Sequence, residues 1–307
     1  MLPDVQLGST DLRVSRLGLG TLAFGRNFGV PIQGSMTMPS ASDSSQILQL
    51  ALDMGIKLID TARTYGESEA LIGKAIGHRR QEYVLASKVM PYPDKPQRVR
   101  ESVEESLRTL RTDVLDLVQV HCSVTDVMPD PSTTNVLLEL KRSGEIRYVG
   151  ASVYGTAQAT AAMESMQFDC LLIAYNVLDR RMEKALLPEA GKEKMGILAR
   201  SVLMKGALTE RVERLPQELS SLKMAARELD RLAAEEVECL PELAYRYALS
   251  EPVIASTLAE VTSLRELEQA IRWTSRGPLS SELLSQIRAL PILPAELLTP
   301  AFWPPLS

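Results

Sequence analysis

Apolar residues recur along this chain in two alternating rhythms. Runs of strand length (Leu17–Gly20, Lys57–Asp60, Tyr83–Lys88, Val114–His121, Arg147–Ser152, Cys170–Tyr175, Gly196–Ser201 and Val253–Ala255) alternate with stretches of helical period. The helical stretches are Ser44–Met54, Ser68–Ile76, Gln97–Leu110, Thr134–Arg142, Thr156–Met166, Met182–Ala190, Pro241–Leu249 and Leu264–Thr274. Eight strand-then-helix units without a break in composition predict one (β/α)8 barrel over residues 1–307 rather than an open doubly wound sheet. Val5–Leu7 and Leu12–Val14, joined by a polar turn, predict a β-hairpin ahead of the barrel. Long loops follow the first strand (Thr21–Ser40), the fourth (Cys122–Ser132) and the seventh (Lys205–Gln217). Loops at the carboxyl face of a barrel are where substrate sites are built. A proline-rich tail, residues 291–307, is long enough to cover such a site, and Phe302-Trp303 are its candidate contacts.

Composition narrows the functional classes. The balance of 34 Lys+Arg against 39 Asp+Glu, net −5, includes no basic stripe to track a phosphate backbone, which argues against nucleic acid as a partner. No apolar run approaches the roughly 18 residues of a membrane span, and the N-terminal residues have no basic-then-apolar leader pattern. Three widely spaced cysteines, Cys122, Cys170 and Cys239, fit neither a disulfide framework nor a metal spacing. The expectation is a cytoplasmic chain without a structural metal. Oligomeric state is not written in the sequence.

Four polar residues stand at or just past the ends of consecutive expected strands: Asp60 and Tyr65 after the second, Lys88 after the third, His121 after the fourth. Strand alternation puts Lys88 on the face of Ala86 and His121 on the face of Gln119, with Val89 and Cys122 opposite. Carbonyl reduction would use this set. Hydride reaches carbon while an acid within hydrogen-bond reach protonates oxygen. Tyr65 is the acid, and a Lys88 ammonium beside it stabilises the phenolate and shifts it toward proton release. Asp60 keeps Lys88 charged and oriented, and His121 aims the substrate oxygen. Taken singly, each residue has an ordinary explanation: a turn Asp, a loop aromatic, a snorkelling Lys. The case lies in the set. His78, in a basic helix-end turn, receives no catalytic role.

Gly55-Ile-Lys-Leu-Ile-Asp60-Thr-Ala-Arg-Thr-Tyr65-Gly-Glu-Ser-Glu69, with Ala86-Ser87-Lys88 and Val120-His121, resembles the signature of the aldo-keto reductase superfamily. The resemblance runs from about Leu7 to Leu267, through Arg147–Ser152, Ala174–Asn176 and Gly196–Ser201. It implies a barrel that binds a nicotinamide cofactor, usually NADP(H), without a Rossmann domain, and a catalytic tetrad at Asp60, Tyr65, Lys88 and His121. Gly18-x-Gly20-x-x-Ala23 does not count as a dinucleotide fingerprint, because a loop and not a helix comes after it.

The cofactor contacts that the resemblance implies are Gly20, Thr21, Ser152, Asn176, Arg200, Ser201, Leu203, Lys205 and Gly206 along the strand ends, and Ser256, Thr257, Arg265 and Gln269 at the adenosine end. Several positions depart from the pattern. Val153 and Leu172 stand where relatives hold the carboxamide, leaving Asn176 or a backbone group to substitute, and Arg200 replaces a stacking aromatic. Arg265 and Gln269, four apart on one helix face, are the expected 2′-phosphate and adenine contacts. The usual lysine is missing, with Ala255 near its place, the segment after the last strand reads as longer than usual, and Glu260 would repel a phosphate if it faced the site. The reading is an NADP(H)-dependent reductase of a small carbonyl, or oxidant of an alcohol, with NAD(H) as the other cofactor choice. The alternative is a nicotinamide-binding regulatory or partner protein with little turnover.

Overall fold

The computed structural model describes residues 2–27, 29–30, 38–93 and 95–306. Eight parallel strands close into a barrel in the order β10-β3-β4-β5-β6-β7-β8-β9. They are β3 (Leu17–Gly20), β4 (Leu58–Asp60), β5 (Val84–Val89), β6 (Leu115–His121), β7 (Ile146–Ser152), β8 (Cys170–Ala174), β9 (Gly196–Arg200) and β10 (Ile254–Glu260). Ahead of them β1 (Asp4–Gln6) and β2 (Arg13–Ser15) form an antiparallel hairpin with Val5 opposite Val14. The barrel and hairpin are those expected from the apolar rhythm.

Period-two alternation sorts the strand residues into two cores. Leu58, Val84, Ala86, Leu117, Cys170, Leu172, Leu198 and Leu258 pack together inside the barrel, joined by Leu7, Leu12 and Val14 of the hairpin, which closes the lower end. Their neighbours, such as Ile59, Leu85, Val89, Val118, Val120 and Ala199, face the helical jacket. Side chains therefore seal the barrel below and leave polar residues at the carboxyl ends of the strands as the floor of a site.

The helices start where short polar side chains can satisfy free backbone amides. Ser40 and Asp43 form a capping box on helix Ala41–Asp53, Asp130 accepts from Thr133 N ahead of helix Pro131–Ser143, and Ser263 caps helix Leu264–Thr274. One local expectation is corrected. Pro188 divides the stretch 182–190 into helices Met182–Ala185 and Leu187–Lys192. The polar run from Lys223 belongs to helix Ser220–Ala233, and a further helix, Ser281–Ala289, precedes the tail.

The largest correction concerns the eighth strand. It does not stop at Ala255 but continues to Glu260, which pairs with Gly20. Within the long first loop, residues 28 and 31–37 lie outside the described residues. The chain leaves β3 through the short 3-10 turn Leu22–Phe24, not through a helix that could carry a dinucleotide fingerprint.

Candidate active site

The strand ends form a ring around the mouth. Strand pairing places Gly20 beside Asp60, Asp60 beside Ala86, Lys88 beside Gln119, His121 beside Ser152, Ala174 beside Arg200, and Glu260 beside Gly20. The stagger of a closed barrel lifts Lys88 and His121 above the level of Asp60, so the polar side chains climb round the wall.

Lys88 and Asp60 form an ion pair with both side chains almost wholly buried, 1% and 2% exposed. The ammonium also donates to Thr61 O at 2.8 Å, and Gln119 Nε2 donates to the second Asp60 oxygen at 3.0 Å. Burial pushes the Asp60 carboxyl above its ordinary value, while the Lys88 ammonium and Gln119 hold it back. For Lys88 burial acts downward, but the charges of Asp60 and Tyr65 outweigh it and keep the amine protonated.

Tyr65 leans over this pair, its ring centroid 4.8 Å from Lys88 Nζ and its edge against His121 at 6.2 Å. The segment carrying it is held by the close approach of another loop. A Cβ on Gly25 would sit 1.7 Å from Tyr65 O, and Gly66, at φ +57, would meet Gly25 O in the same way. The phenol departs from the expected direction of titration. Burial pushes it above its ordinary value; Lys88 opposes this, but Asp60 and Glu260 add to the rise. The resting phenol therefore keeps its proton, and the ammonium limits the cost of giving it up.

His121 is neutral. Burial, with Lys88 and Arg200 nearby, lowers it to about 3. Its Nδ1 is buried without a partner.

A cleft leads away from this floor, lined by Glu260, the segment Ser201–Gly206, Arg211, Glu266, Gln269 and Trp273 among others. Ser201, Met204 and Lys205 all adopt left-handed backbone (φ 60, 48 and 54), followed by Gly206 at φ 98. That conformation is strained for residues other than glycine, and such strain gathers at binding loops. Two cations reach the cleft. Lys205 touches Pro300 O in the tail at 3.5 Å and is lowered by burial, and Arg211 faces Glu266 at 3.5 Å.

Arg200 closes the far side. Its guanidinium donates to Val153 O at 2.9 Å and Ser201 Oγ at 3.2 Å and covers the Tyr154 ring at 4.3 Å, while its Nε is buried with no partner.

The structure brings Gly20, Thr21, Ser152 and Arg200 to the mouth and Ser201, Leu203, Lys205, Gly206 and Gln269 to the cleft. Arg265 is exposed beside Gln269 on helix Leu264–Thr274.

Two expected contacts are placed elsewhere. Ser256 and Thr257 lie inside β10, where Thr257 pairs with Leu17 at the bottom of β3 and its hydroxyl donates to Arg16 O, so neither stands at the adenosine end. Thr262 and Ser263 follow the end of that strand instead, with Thr262 in the lining of the cleft. Asn176 also differs from expectation. Its Oδ1 accepts from the amides of Leu178 and Asp179 and its Nδ2 donates to Ser201 O, so it braces the strained loop from behind. Val153 and Leu172 are fully buried and apolar, as their sequence indicates.

Sequence reasoning misses Gln119, Gly25, Tyr154 and Arg211 as site residues. Gln119 has one available signal, its place two residues before His121 on the same strand face.

The donor set suits a dinucleotide with its negative diphosphate. Lys205 and Arg211 line the cleft together with Glu260, whose Oε2 is buried without a partner.

A barrel carrying Asp, Tyr, Lys and His on successive strand ends, with such a cleft beside them, has the architecture of a nicotinamide-dependent oxidoreductase. The Aldo/keto reductase family model matches residues 16–292, and the chain belongs to that family. It is 29% identical to the oxidoreductase YqkF of Bacillus subtilis, covering 93% of this chain and 94% of that one. It is 32% identical to the NADH-specific methylglyoxal reductase of Escherichia coli over 69% of this chain and 71% of that protein. Among solved structures it is similar to the holo form of aldo-keto reductase AKR11C1 from Bacillus halodurans, with a TM-score of 0.76, 27% identity and coverage of 94% and 96%. Among the described residues no helix is long and apolar enough to cross a membrane, and no cluster of His, Cys, Asp and Glu has the arrangement of a metal site.

Proposed function

We propose that the protein is an NADP(H)-dependent reductase that converts a small aldehyde or ketone to the alcohol, or runs the reverse, with Tyr65 as the general acid and base. The observation that carries this reading is the buried Asp60–Lys88 pair directly under the Tyr65 ring. The nicotinamide, when bound, supplies or accepts hydride at the carbonyl carbon. The chain supplies the proton. Tyr65 gives its hydroxyl proton to the carbonyl oxygen, and the Lys88 ammonium stabilises the phenolate left behind, while Asp60 holds that ammonium in place. Neutral His121 donates from Nε2 to the same oxygen and selects the carbonyl face presented to Tyr65. In oxidation the proton returns along the same path.

Ser201 to Gly206 and Lys205 are assigned to the diphosphate, and Arg265 with Gln269 to the adenosine 2′-phosphate and adenine. NAD(H) is the second reading. It is favoured by Glu266 in the cleft, which accepts from Thr262 N at 2.7 Å and faces Arg211, and by the NADH-specific relative. Three free cysteines agree with a reducing, cytoplasmic setting.

The test is a panel of carbonyls and alcohols followed at the nicotinamide absorbance with both cofactors, run on wild type and Tyr65→Phe. The variant is expected to bind cofactor normally and to lose about 10²–10⁴-fold in turnover. Wild-type rates in the variant would remove Tyr65 from the reaction. Tight cofactor binding by wild type with no turnover on any substrate would instead favour a regulatory protein.

A further inference from the structure

Among the described residues, Glu260 is the one acid in the ring of strand ends, apart from Asp60, that points into the barrel mouth. Gly20 lies between them on β3, and a Cβ there would fall 2.1 Å from Glu260 Oε1, so the missing side chain is what admits the carboxyl. The backbone amides of Leu22 and Ala23 lie close enough to favour the charged carboxyl, but Oε2 is buried and has no hydrogen-bond partner. The Glu260 side chain lines the cleft, and its carboxyl lies in the space that Gly20 leaves open.

The charges around it explain what an acid can do there. Asp60 on β4 lies near and acts against ionisation, Lys88 on β5 acts for it, and burial outweighs both the ammonium and the two amides, pushing Glu260 up to about 8. Its charge also reaches the phenol of Tyr65 after β4 and that of Tyr245 in helix Leu240–Leu249. Farther along the cleft stand Lys205, Arg211 and Glu266. A carboxylic acid held neutral among these groups has one hydroxyl to donate. Oε2, the carboxyl oxygen without a partner, is free to carry that hydroxyl.

We propose that Glu260 serves the cofactor as a neutral acid, its Oε2 hydroxyl donating a hydrogen bond to an oxygen of the ribose–diphosphate portion of the nicotinamide dinucleotide. The inference rests on the cofactor reading above. It removes the apparent conflict of an acid in an anion's cleft: protonated, Glu260 is a donor that attracts an anionic oxygen; ionised, it is an acceptor that repels one. Binding then favours the protonated form, and the affinity weakens as the acid releases its proton to solvent with rising pH.

The experiment is a binding titration of NADPH and of NADH, read by quenching of tryptophan fluorescence, since Trp273 lines the cleft. It is run at pH 7 and pH 9 on wild type and Glu260→Gln, with folding checked by thermal melting. The amide of Gln keeps a donor at every pH. Wild type is expected to lose about tenfold in affinity from pH 7 to 9, the span of one titration centred near 8, and Glu260→Gln about twofold or less. Deprotonation of Lys205 would weaken both proteins equally, so an equal loss overturns the proposal. So does a wild-type affinity that does not change with pH, a result that needs no variant. Failure of wild type to bind either dinucleotide at pH 7 would remove the cofactor reading itself, and this inference with it.

Discussion

The two halves of the barrel mouth handle charge in opposite ways. Between β4 and β6 both buried charges are matched: Asp60 holds Lys88 with one oxygen and Gln119 with the other, and Lys88 adds Thr61 O. From β9 round to β10 the charges are only partly matched, with Arg200 Nε and Glu260 Oε2 buried and unpaired. A buried polar atom without a partner costs roughly 1–3 kcal/mol, so it persists where something else completes it. The ion pair of the first half is assembled by folding alone, although Gln119 Oε1 and His121 Nδ1 beside it are also buried without partners; the second half has the character of a surface that a ligand completes. Reaction chemistry demands fixed geometry at the proton donor, whereas cofactor recognition can leave polar groups to be satisfied at the moment of binding.

This contrast is broken most severely at Lys88. Lys88→Met removes the cation and leaves Asp60 buried without it, a loss of about 3–5 kcal/mol in unfolding free energy by chemical denaturation. Turnover should fall with it, because nothing then stabilises the phenolate. A stability loss below about 1 kcal/mol would mean that the pair is not the buried anchor described, whatever the activity.

On the other half the same kind of truncation should act on binding. Arg200→Met gives up its bonds to Val153 O and Ser201 Oγ and its stacking on Tyr154, each replaceable by water at the half-exposed rim. The expected stability cost is about 1–2 kcal/mol, and dinucleotide affinity should fall about tenfold as the unpaired Nε and the cationic face are lost. An unchanged dissociation constant with a large drop in melting temperature would reverse the contrast and make Arg200 a structural residue.

The same division marks what can be read from the chain. Strands betray themselves by apolar runs, and a charged residue ending such a run, as at Lys88 and His121, has few reasons to be there; the tetrad half is therefore legible almost entirely. Gln119 hides in plain view because a polar residue inside a strand looks like noise until its partner, Asp60, is located 59 positions away. The cofactor half is less legible because its parts are backbone conformation and loop approach. Left-handed φ at Ser201, Met204 and Lys205 leaves no mark in residue type, and the bracing role of Asn176 depends on where two loops meet. The tail gives a mixed outcome. Phe302 is exposed, while Trp303 donates to Leu297 O at 2.8 Å and, with Pro300, lines a surface hollow shared with Lys205 and Gly29 and not with Tyr65.

The end of β10 shows why polarity misleads. Ser256 and Thr257 read as the start of a loop, yet both are buried inside the strand: Ser256 turns its hydroxyl into the barrel, where it finds no partner, and Thr257 donates its own to Arg16 O. Moving the strand end by five residues, from Ala255 to Glu260, moves the cofactor-facing positions with it and brings Glu260 to the mouth. Ser256→Ala separates the two placements with the smallest effect expected anywhere in the molecule. If Ser256 were a cofactor contact, removing its hydroxyl would weaken dinucleotide binding by about 0.5–1.5 kcal/mol, roughly two- to twelvefold. Buried inside the strand and unpaired, the hydroxyl only burdens the fold, so the alanine variant should bind cofactor with unchanged affinity and unfold at the same or slightly higher temperature, a gain of up to about 1 kcal/mol. A weakened dissociation constant at unaltered stability would return Ser256 to the cleft and shorten β10, and with it withdraw Glu260 from the place on which its role depends.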